Sequence, residues 1–295
     1  LKKKILITGG TGFLGFNFIK SLNQKKYDIT SLSSKKKSKK NFIKGVKYVF
    51  CDISNFKKLK KKIGKQYSFI VNFSGNIDHK NKSETFRVHY QGLKNLVKLI
   101  DKKHLELFIQ IGSSLEYGKL KSPQKENLVC RPVSYYGRAK YLSSRYILKK
   151  LNRFLILRLY QVYGPYQKND RLIPYVIKSC LRNKEFSCTE GLQIRDFLFV
   201  DDLVNLLSKI INKKKMHYSV YNVGSGKPLK VKKLINLIVK KIKNGKPKFG
   251  KIKMRKEETK NLFPNTRSVQ KDFKWRPKVS ISQGLQKTIN HYAKN

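Results

Sequence analysis

A tyrosine and a lysine, Tyr136 and Lys140, stand four residues apart and project from one face if their segment is helical. A phenol of pKa about 10 exchanges protons poorly near neutrality, but a neighbouring ammonium stabilises the phenolate and lowers that pKa. A serine pair, Ser113 and Ser114, ends an apolar stretch some twenty residues earlier. One of its hydroxyls would complete a proton relay to a substrate carbonyl, so the pattern predicts acid–base chemistry.

Because tyrosine and lysine are common in this chain, the pair alone is weak evidence for a catalytic site. The pair indicates such a site because it follows a glycine-rich turn near the start of the sequence. Three glycines, Gly9, Gly12 and Gly15, follow a short apolar run and precede an apolar helical segment. In such a turn the first glycine permits a sharp bend, the second brings backbone close to a pyrophosphate, and the third lets the helix pack. The sequence therefore predicts a dinucleotide held at a helix N-terminus.

The end of the second predicted strand bears on which dinucleotide binds. A protein of this kind that prefers NAD carries an acidic residue there for the ribose hydroxyls. This chain has Ser33, Ser34 and Lys35 instead, which offer hydroxyls and an ammonium to a 2′-phosphate. NADP is therefore expected over NAD, although the same residues would also suit an ordinary polar loop.

Strands predicted at residues 5–7, 27–33, 46–50, 69–71 and 107–111 alternate with helical patterns, including 16–22, 56–63 and 83–100. This alternation predicts an α/β fold with a Rossmann-type doubly wound parallel sheet. We expect residues 1–165 to form the NAD(P)-binding domain, with 200–225 returning to it. Residues 166–199 and 226–295 are expected to form a smaller C-terminal α/β substrate-binding lobe.

The formal net charge of +51 is extreme, but its lysines are dispersed along all 295 residues. Dispersed charge predicts no specific nucleic-acid function, and a polyanion-binding protein stays a weaker alternative. The four cysteines show neither metal nor disulfide spacing, so no metal is expected and a reducing, cytoplasmic compartment fits. No stretch approaches about 20 apolar residues and the apolar start is too short for a signal peptide, so no membrane association is expected.

Taken together, these motifs resemble the extended short-chain dehydrogenases/reductases of the NAD-dependent epimerase/dehydratase family, which act on nucleotide sugars. Further matching segments lie at residues 51–53, 72–75, 113–118, 157–165, 171–174, 195–202, 221–224 and 275–277. The resemblance covers essentially the whole chain. It identifies the family more closely than it identifies the reaction.

The resemblance implies a role for each matching position. Ser113 is the catalytic serine beside Tyr136 and Lys140, and the last two also touch the cofactor. Further cofactor contacts would be Phe13, Leu14, Asp52, Ile53, Asn72, Ser74 and Gly75. Substrate contacts would be Ser114, Gln161 (where the family usually has Asn), Arg171 and Arg195, the last binding a diphosphate. Relatives are usually homodimers. The resemblance assigns no role to His89, where an Asn is usual.

Departures from the family pattern narrow the reaction. Dehydratases place an acidic pair where this chain has Ser114 and Leu115, and Glu116, one residue further on, is expected on a strand that points it to the opposite face. Dehydration is therefore not expected. Epimerase-reductases place a Cys at the Leu115 position and a His near Arg171, and this chain has neither, so 3,5-epimerisation is not expected. Chemistry at C4 remains: NADPH-dependent reduction of a 4-keto nucleotide sugar is expected, with 4-epimerisation on tightly bound NAD as the alternative. A non-catalytic protein that only binds the cofactor is a weaker alternative.

Overall fold

The computed structural model describes residues 2–34, 42–75, 81–254 and 258–294. Thirteen strands are found in these ranges: β1 (Lys3–Thr8), β2 (Tyr27–Ser33), β3 (Lys47–Phe50), β4 (Phe69–Asn72), β5 (Leu107–Ser113), β6 (Phe154–Leu159), β7 (Gln161–Tyr163), β8 (Glu185–Ser187), β9 (Ile194–Phe199), β10 (Val220–Val223), β11 (Pro228–Lys230), β12 (Lys246–Lys248) and β13 (Asn261–Leu262).

Ten α-helices lie in the same described ranges: α1 (Phe13–Ser21), α2 (Phe56–Lys62), α3 (Lys82–Phe86), α4 (Gly92–Leu99), α5 (Tyr135–Lys150), α6 (Leu172–Leu181), α7 (Val200–Ile211), α8 (Val231–Ile242), α9 (Arg267–Phe273) and α10 (Ile281–Ala293). A π-helical turn, Arg87–Gln91, joins α3 to α4, and a 3₁₀ turn, Ser114–Glu116, follows β5. None of the described helices is long and apolar enough to span a bilayer.

The main sheet has seven strands in the order β10-β6-β5-β4-β1-β2-β3, and the pairs from β5 through β4 and β1 to β3 are parallel. Strands of a sheet covered on both faces are apolar throughout, and β1, β4 and β5 end in continuous buried runs. The strand order reverses between β1 and β4, where ligands of such sheets bind at the carboxyl ends. The predicted Rossmann-type α/β fold is confirmed.

The chain divides into two compact units. The first comprises Leu1–Gly118, Glu126–Arg158 and Leu206–Tyr221. Its core packs sheet residues such as Leu6, Ile70 and Phe108 against α4 and α5, represented by Leu96 and Ile147. Burial of such side chains stabilises the sheet that carries the site, at about 25 cal/mol per Å² of apolar surface.

The second unit comprises Lys119–Lys125, Leu159–Asn205 and Asn222–Asn295. Its sheet has the order β11-β9-β13, with β7 also paired to β9. Asp202 anchors the C-terminal segment: its carboxylate accepts the backbone N–H groups of Lys278 and Val279 at 2.9 and 3.0 Å, and its carbonyl accepts the indole N–H of Trp275 at 3.2 Å. The assignment of cofactor and substrate binding to separate parts of the chain stays a prediction.

Two local expectations are wrong. The helix expected at 83–100 is interrupted by the π turn, whose His89 carbonyl accepts the Ser143 hydroxyl at 2.9 Å. Glu116 belongs to the 3₁₀ turn, so the alternation of a strand does not set its direction.

Candidate active site

The glycine turn between β1 and α1 has the geometry of a phosphate cradle. Gly9 adopts φ +69°, and a Cβ there would lie 3.0 Å from the Phe73 carbonyl. A Cβ on Gly15 would overlap the Gly9 carbonyl, so this glycine lets α1 close onto the turn. Gly12 is the N-cap of α1 and no described side chain caps that end, while Phe13 and Leu14 are half-buried in the first turn. The N–H groups there fit a pyrophosphate, as a bound NAD(P) requires.

A chain of hydrogen bonds runs across the carboxyl ends of the central strands. The Thr8 hydroxyl donates to the Asn72 side chain, whose amide donates to Gln110 at 2.8 Å. The Gln110 amide then donates at 3.0 Å to the Ile111 carbonyl, which also accepts Lys140 Nζ at 2.8 Å. These hydrogen bonds link the strands behind the glycine turn to helix α5, which carries the candidate catalytic residues Tyr136 and Lys140.

Ser113 is the last residue of β5 and caps the 3₁₀ turn. Its hydroxyl accepts the Leu115 N–H at 3.2 Å, which leaves the hydroxyl proton to donate. Helix α5 approaches this turn closely because Gly137 has no Cβ; one there would overlap the Leu115 carbonyl. The Ser134 side chain caps α5 by accepting the Gly137 N–H at 3.0 Å. The candidate serine and the start of α5 are thereby held side by side.

Tyr136 lies half-buried on α5, with Lys140 one turn later on the same face. The Lys140 ammonium lies 5.8 Å from the centre of the Tyr136 ring. The ring of His89, only 4% exposed, meets the Tyr136 ring edge-on at a centroid separation of 5.0 Å. A Cβ on Gly75 would overlap His89 Cε1, so Gly75 makes room for this imidazole. The structure thus brings Ser113, Tyr136 and Lys140 together around β5 and α5, with His89 added.

The ammonium of Lys140 is fully enclosed. Desolvation lowers its pKa from 10.5 to about 8, and the carboxylate of Glu116 opposes that shift. Burial disfavours the charged form of a lysine, and a nearby negative charge favours it. Lys140 therefore stays protonated at neutral pH but loses its proton within reach of ordinary assay conditions.

The residues expected at the adenosine end of the cofactor surround a cavity of about 550 Å³, lined by Ser34, Phe50, Cys51, Asp52, Ser54, Asn55, Lys58, Lys62 and Arg87. The Arg87 guanidinium pairs with the carboxylates of Asp52 and Glu84. Burial alone would raise the pKa of Asp52, but hydrogen bonds from Arg87 and Ser54 lower it. Asp52 thus stays ionised beside three cationic side chains.

The other residues expected to contact the cofactor differ in whether they are exposed, buried or already hydrogen-bonded within the protein. The Ser33 hydroxyl already accepts the backbone N–H and the hydroxyl of Thr11 at 3.3 and 3.0 Å, and Ile53 is buried. The Ser74 N–H donates to Asn72 at 3.1 Å. Ser34 is exposed in the cavity, and Lys35 lies outside the described residues. Contact of these residues with a cofactor stays a prediction.

In the second unit, Arg195 lies on β9 and Gln161 on the adjacent β7, where it pairs with Phe197. The Arg195 guanidinium donates to the carbonyls of Ile194 and Lys260 at 2.8 and 3.2 Å and pairs with Glu258. Gln161 is exposed, and Arg171 is half-buried at the start of α6. An anionic ligand would have to compete with Glu258 for Arg195.

Glu258, Arg87 and the contact of His89 with Tyr136 were missed by sequence reasoning. Arg87 and His89 occupy the π turn, and such turns occur frequently at functional sites. The unusual histidine was the available signal. Glu258 gave none, because its partner lies on a strand 63 residues away.

The fold and the glycine turn define a dinucleotide-binding α/β protein with a Ser-Tyr-Lys set at the strand ends. The model of the NAD dependent epimerase/dehydratase family matches residues 5–224. The chain belongs to this family, and it is an NAD(P)-dependent enzyme of the extended short-chain dehydrogenase/reductase type.

Relatives and solved structures resemble the chain over its full length. A CDP-abequose synthase of Salmonella muenchen is 27% identical over 306 residues, covering 98% of both chains. A putative UDP-glucose 4-epimerase of Methanocaldococcus jannaschii is also 27% identical and covers 99% of both. The crystal structure of UDP-glucose 4-epimerase from Thermotoga maritima with UDP-glucose has a TM-score of 0.90, 21% identity and 99% coverage of both chains.

Proposed function

We propose that the protein reduces the C4 keto group of a nucleotide-diphosphate sugar of the 4-keto-6-deoxyhexose type, with NADPH as reductant. The proposal rests chiefly on the group formed by the end of β5 and the start of α5: Lys140 lies beside the Tyr136 ring, and the turn that Ser113 caps packs against Gly137. These side chains can transfer a proton to an oxygen. The Glu116 carboxylate is completely buried and hydrogen-bonded, so it is not placed to remove a sugar C–H proton.

NADPH, when bound, supplies the hydride to C4. The Ser113 hydroxyl donates a hydrogen bond to the carbonyl oxygen, and the Tyr136 phenol gives its proton to the forming alkoxide. The Lys140 ammonium stabilises the phenolate that remains. The N–H groups of the glycine turn hold the pyrophosphate, and Arg195 recognises the diphosphate of the sugar nucleotide once it leaves Glu258.

The preference for NADPH is supported by the cavity at the carboxyl ends of β2 and β3. Lys58, Lys62 and Arg87 line it together with Ser34, and its only carboxylate among the lining residues, Asp52, is paired with Arg87. A 2′-phosphate carries the charge that such cations attract. No acidic side chain ends β2 to bind the ribose hydroxyls of NAD.

The alternative is a nucleotide-sugar 4-epimerase with tightly held NAD. The names of two similar proteins favour it, namely the Methanocaldococcus protein and a UDP-glucuronate 4-epimerase of Thermodesulfobacterium geofontis that is 27% identical. The same three side chains serve either reaction.

Partners beyond the nucleotide sugar stay predictions: a homodimer, no specific nucleic acid and no membrane. The described cysteines Cys51, Cys130, Cys180 and Cys188 are free thiols, and the cytoplasmic location stays a prediction.

The test is a panel of 4-keto nucleotide sugars and of UDP-hexoses incubated with NADPH, with NADH or with no added nucleotide. A reductase oxidises one NADPH for each C4 alcohol that product NMR detects. An epimerase interconverts the UDP-hexoses without net change in the reduced-nicotinamide absorbance. Turnover of UDP-hexoses alone would overturn the reductase proposal in favour of the alternative.

A further inference from the structure

A buried carboxylate, Glu116, connects the elements that carry the catalytic groups. Its side chain has no solvent exposure. One oxygen, Oε1, accepts the backbone N–H of Ser113 at 2.9 Å. The other, Oε2, accepts the Ser144 hydroxyl at 2.8 Å and Arg158 Nε at 3.1 Å. Both oxygens are therefore engaged, and neither can serve as an acid or base toward a substrate.

The partners of Glu116 lie on three separate elements. Ser113 ends β5, Ser144 lies one turn after Lys140 on α5, and Arg158 lies on β6. The backbone also makes space for the carboxylate, since a Cβ on Gly112 would lie 2.7 Å from Glu116 Oε1. Glu116 thus joins the strand end bearing the serine to the helix bearing Tyr136 and Lys140.

The charged and titratable groups around Glu116 are few. Arg158 faces it from β6, and the Arg158 guanidinium also lies 4.6 Å from the Tyr117 ring centre. From α5, Lys140 donates at 2.8 Å to the carbonyl of Ile111, two residues before the Ser113 N–H that Glu116 accepts, and Ser144, one turn later, donates to Glu116. Cys130, in the segment before that helix, interacts electrostatically with Glu116. Burial would lower the pKa of Arg158, but the Glu116 carboxylate holds it above its usual value. Burial likewise raises the pKa of the Cys130 thiol, to about 11. Glu116 therefore interacts with two basic side chains, Arg158 and Lys140.

We propose that Glu116 is a positioning residue for the reaction: its carboxylate fixes Ser113 against helix α5 and is the buried counter-charge for the Lys140 ammonium. The proposal rests on the proposed roles of Ser113, Tyr136 and Lys140. A misplacement of about 1 Å between reacting groups costs on the order of 100-fold in rate. A glutamine side chain keeps the shape of glutamate without its charge, so Glu116→Gln isolates the charge and its acceptor atoms.

The first experiment measures turnover. Glu116→Gln is expected to lower kcat on the order of 10- to 100-fold with little change in KM, and to move the alkaline limit of activity to lower pH. Ser144→Ala, which removes one support and no charge, is expected to lower kcat less and to leave that limit in place. The control is Glu106→Gln, since Glu106 pairs with Lys3 on the surface and should change neither quantity. Wild-type kcat and pH limit in Glu116→Gln would overturn the proposal.

A second experiment needs no substrate, so it separates this proposal from the proposed function. The free energy of unfolding is measured from about pH 5 to about pH 11 for the wild type and Lys140→Met, each also in the Glu116→Gln background. The difference between the two curves begins to shrink at the pKa of Lys140 in the folded protein and vanishes near its unfolded value, so the onset of the change reports the folded pKa. It is expected to fall by about one pH unit or more in the Glu116→Gln background; an unchanged value would refute the counter-charge role, even if no substrate is turned over.

If Glu116→Gln fails to fold, the double variant Glu116→Gln/Arg158→Met replaces it, because it removes both members of the ion pair together. The same loss of kcat and the same lowered Lys140 pKa are then expected. A folded double variant with wild-type kcat and pH limit would show that the pair only stabilises the fold.

Discussion

Two arginine–glutamate pairs, one in each unit, differ in how far their carboxylates are enclosed. In the first unit, the side chains of Arg158 and Glu116 are 6% and 0% exposed. In the second, those of Arg195 and Glu258 are 6% and 32% exposed. Both arginine side chains are buried to the same extent, so the two pairs differ in the exposure of the glutamate. An enclosed carboxylate fixes its surroundings, whereas a half-exposed one can give way to another anion at low cost.

This difference separates two tasks. Under the proposed mechanism, the enclosed pair supports Ser113, Tyr136 and Lys140, which must hold their positions during proton transfer. The half-exposed pair would let Arg195 exchange Glu258 for a phosphate of the substrate. We therefore expect changes in the first region to affect turnover and folding, and changes in the second to affect substrate affinity.

The largest effect is expected from Tyr136→Phe, which removes the proton donor of the first region. Without the phenol, kcat should fall about 10²- to 10⁴-fold while binding of NADPH and of a nucleotide diphosphate stays nearly unchanged. Steady-state kinetics and cofactor fluorescence measure the two quantities. The matched control is Tyr135→Phe at the exposed neighbouring position. Full activity of Tyr136→Phe would refute the mechanism.

Arg158→Met tests the enclosed pair through stability. The substitution leaves Glu116 buried without its main counter-charge, so the free energy of unfolding should fall by about 3 to 5 kcal/mol in urea titrations. Lys3→Met is the control, because it breaks the exposed pair with Glu106 and should cost about 1 kcal/mol or less. Equal losses in the two variants would contradict the distinction drawn between enclosed and exposed pairs.

The next largest effect is the change in stability and in activity with pH as Lys140 loses its proton. Its folded pKa of about 8 lies below its unfolded value of 10.5, so between these values the unfolded chain binds the extra proton. Stability from this group is lowest below about pH 8 and rises as pH increases toward 10.5. Activity should do the opposite and fall about tenfold per pH unit above 8, as the ammonium is lost.

Comparison with Lys140→Met separates these two trends. At neutral pH the variant should be more stable than the wild type, by about 3 kcal/mol, and this gain should vanish near pH 10.5. Urea titrations across this pH range measure the gain. A difference in stability that does not vary with pH would show that burial does not shift the pKa of Lys140 in the folded protein.

The smallest effect concerns the half-exposed pair. Glu258→Gln removes the carboxylate that competes for Arg195, so a nucleotide diphosphate such as UDP or CDP should bind about threefold to tenfold more tightly, as measured by calorimetry. Glu185→Gln, which breaks the exposed pair with Lys248 in the same unit, is the control. Weaker binding in Glu258→Gln would show that Glu258 holds Arg195 in place for the ligand.

Sequence reasoning succeeded where the signal was local. The glycine turn was predicted from residues adjacent in the chain, and the parallel sheet from the alternation of short strand and helix patterns. It failed for Glu116, because a single 3₁₀ turn after β5 changes which way that side chain points. It missed the contact between His89 and Tyr136, since that depends on a π turn packing against another helix. The partner of Arg195 lay beyond any local pattern, 63 residues along the chain.

The glycine at position 112 carries a consequence for protein engineering. Because a methyl group there would collide with the Glu116 carboxylate, a library that varies this position alone should return mainly the parental residue. The same methyl group would lie 3.2 Å from Arg158 Cγ and from Ile156 Cγ2, so larger side chains also need smaller residues at positions 116, 156 and 158. Redesign of the reaction at this strand end must therefore treat the four positions as one choice.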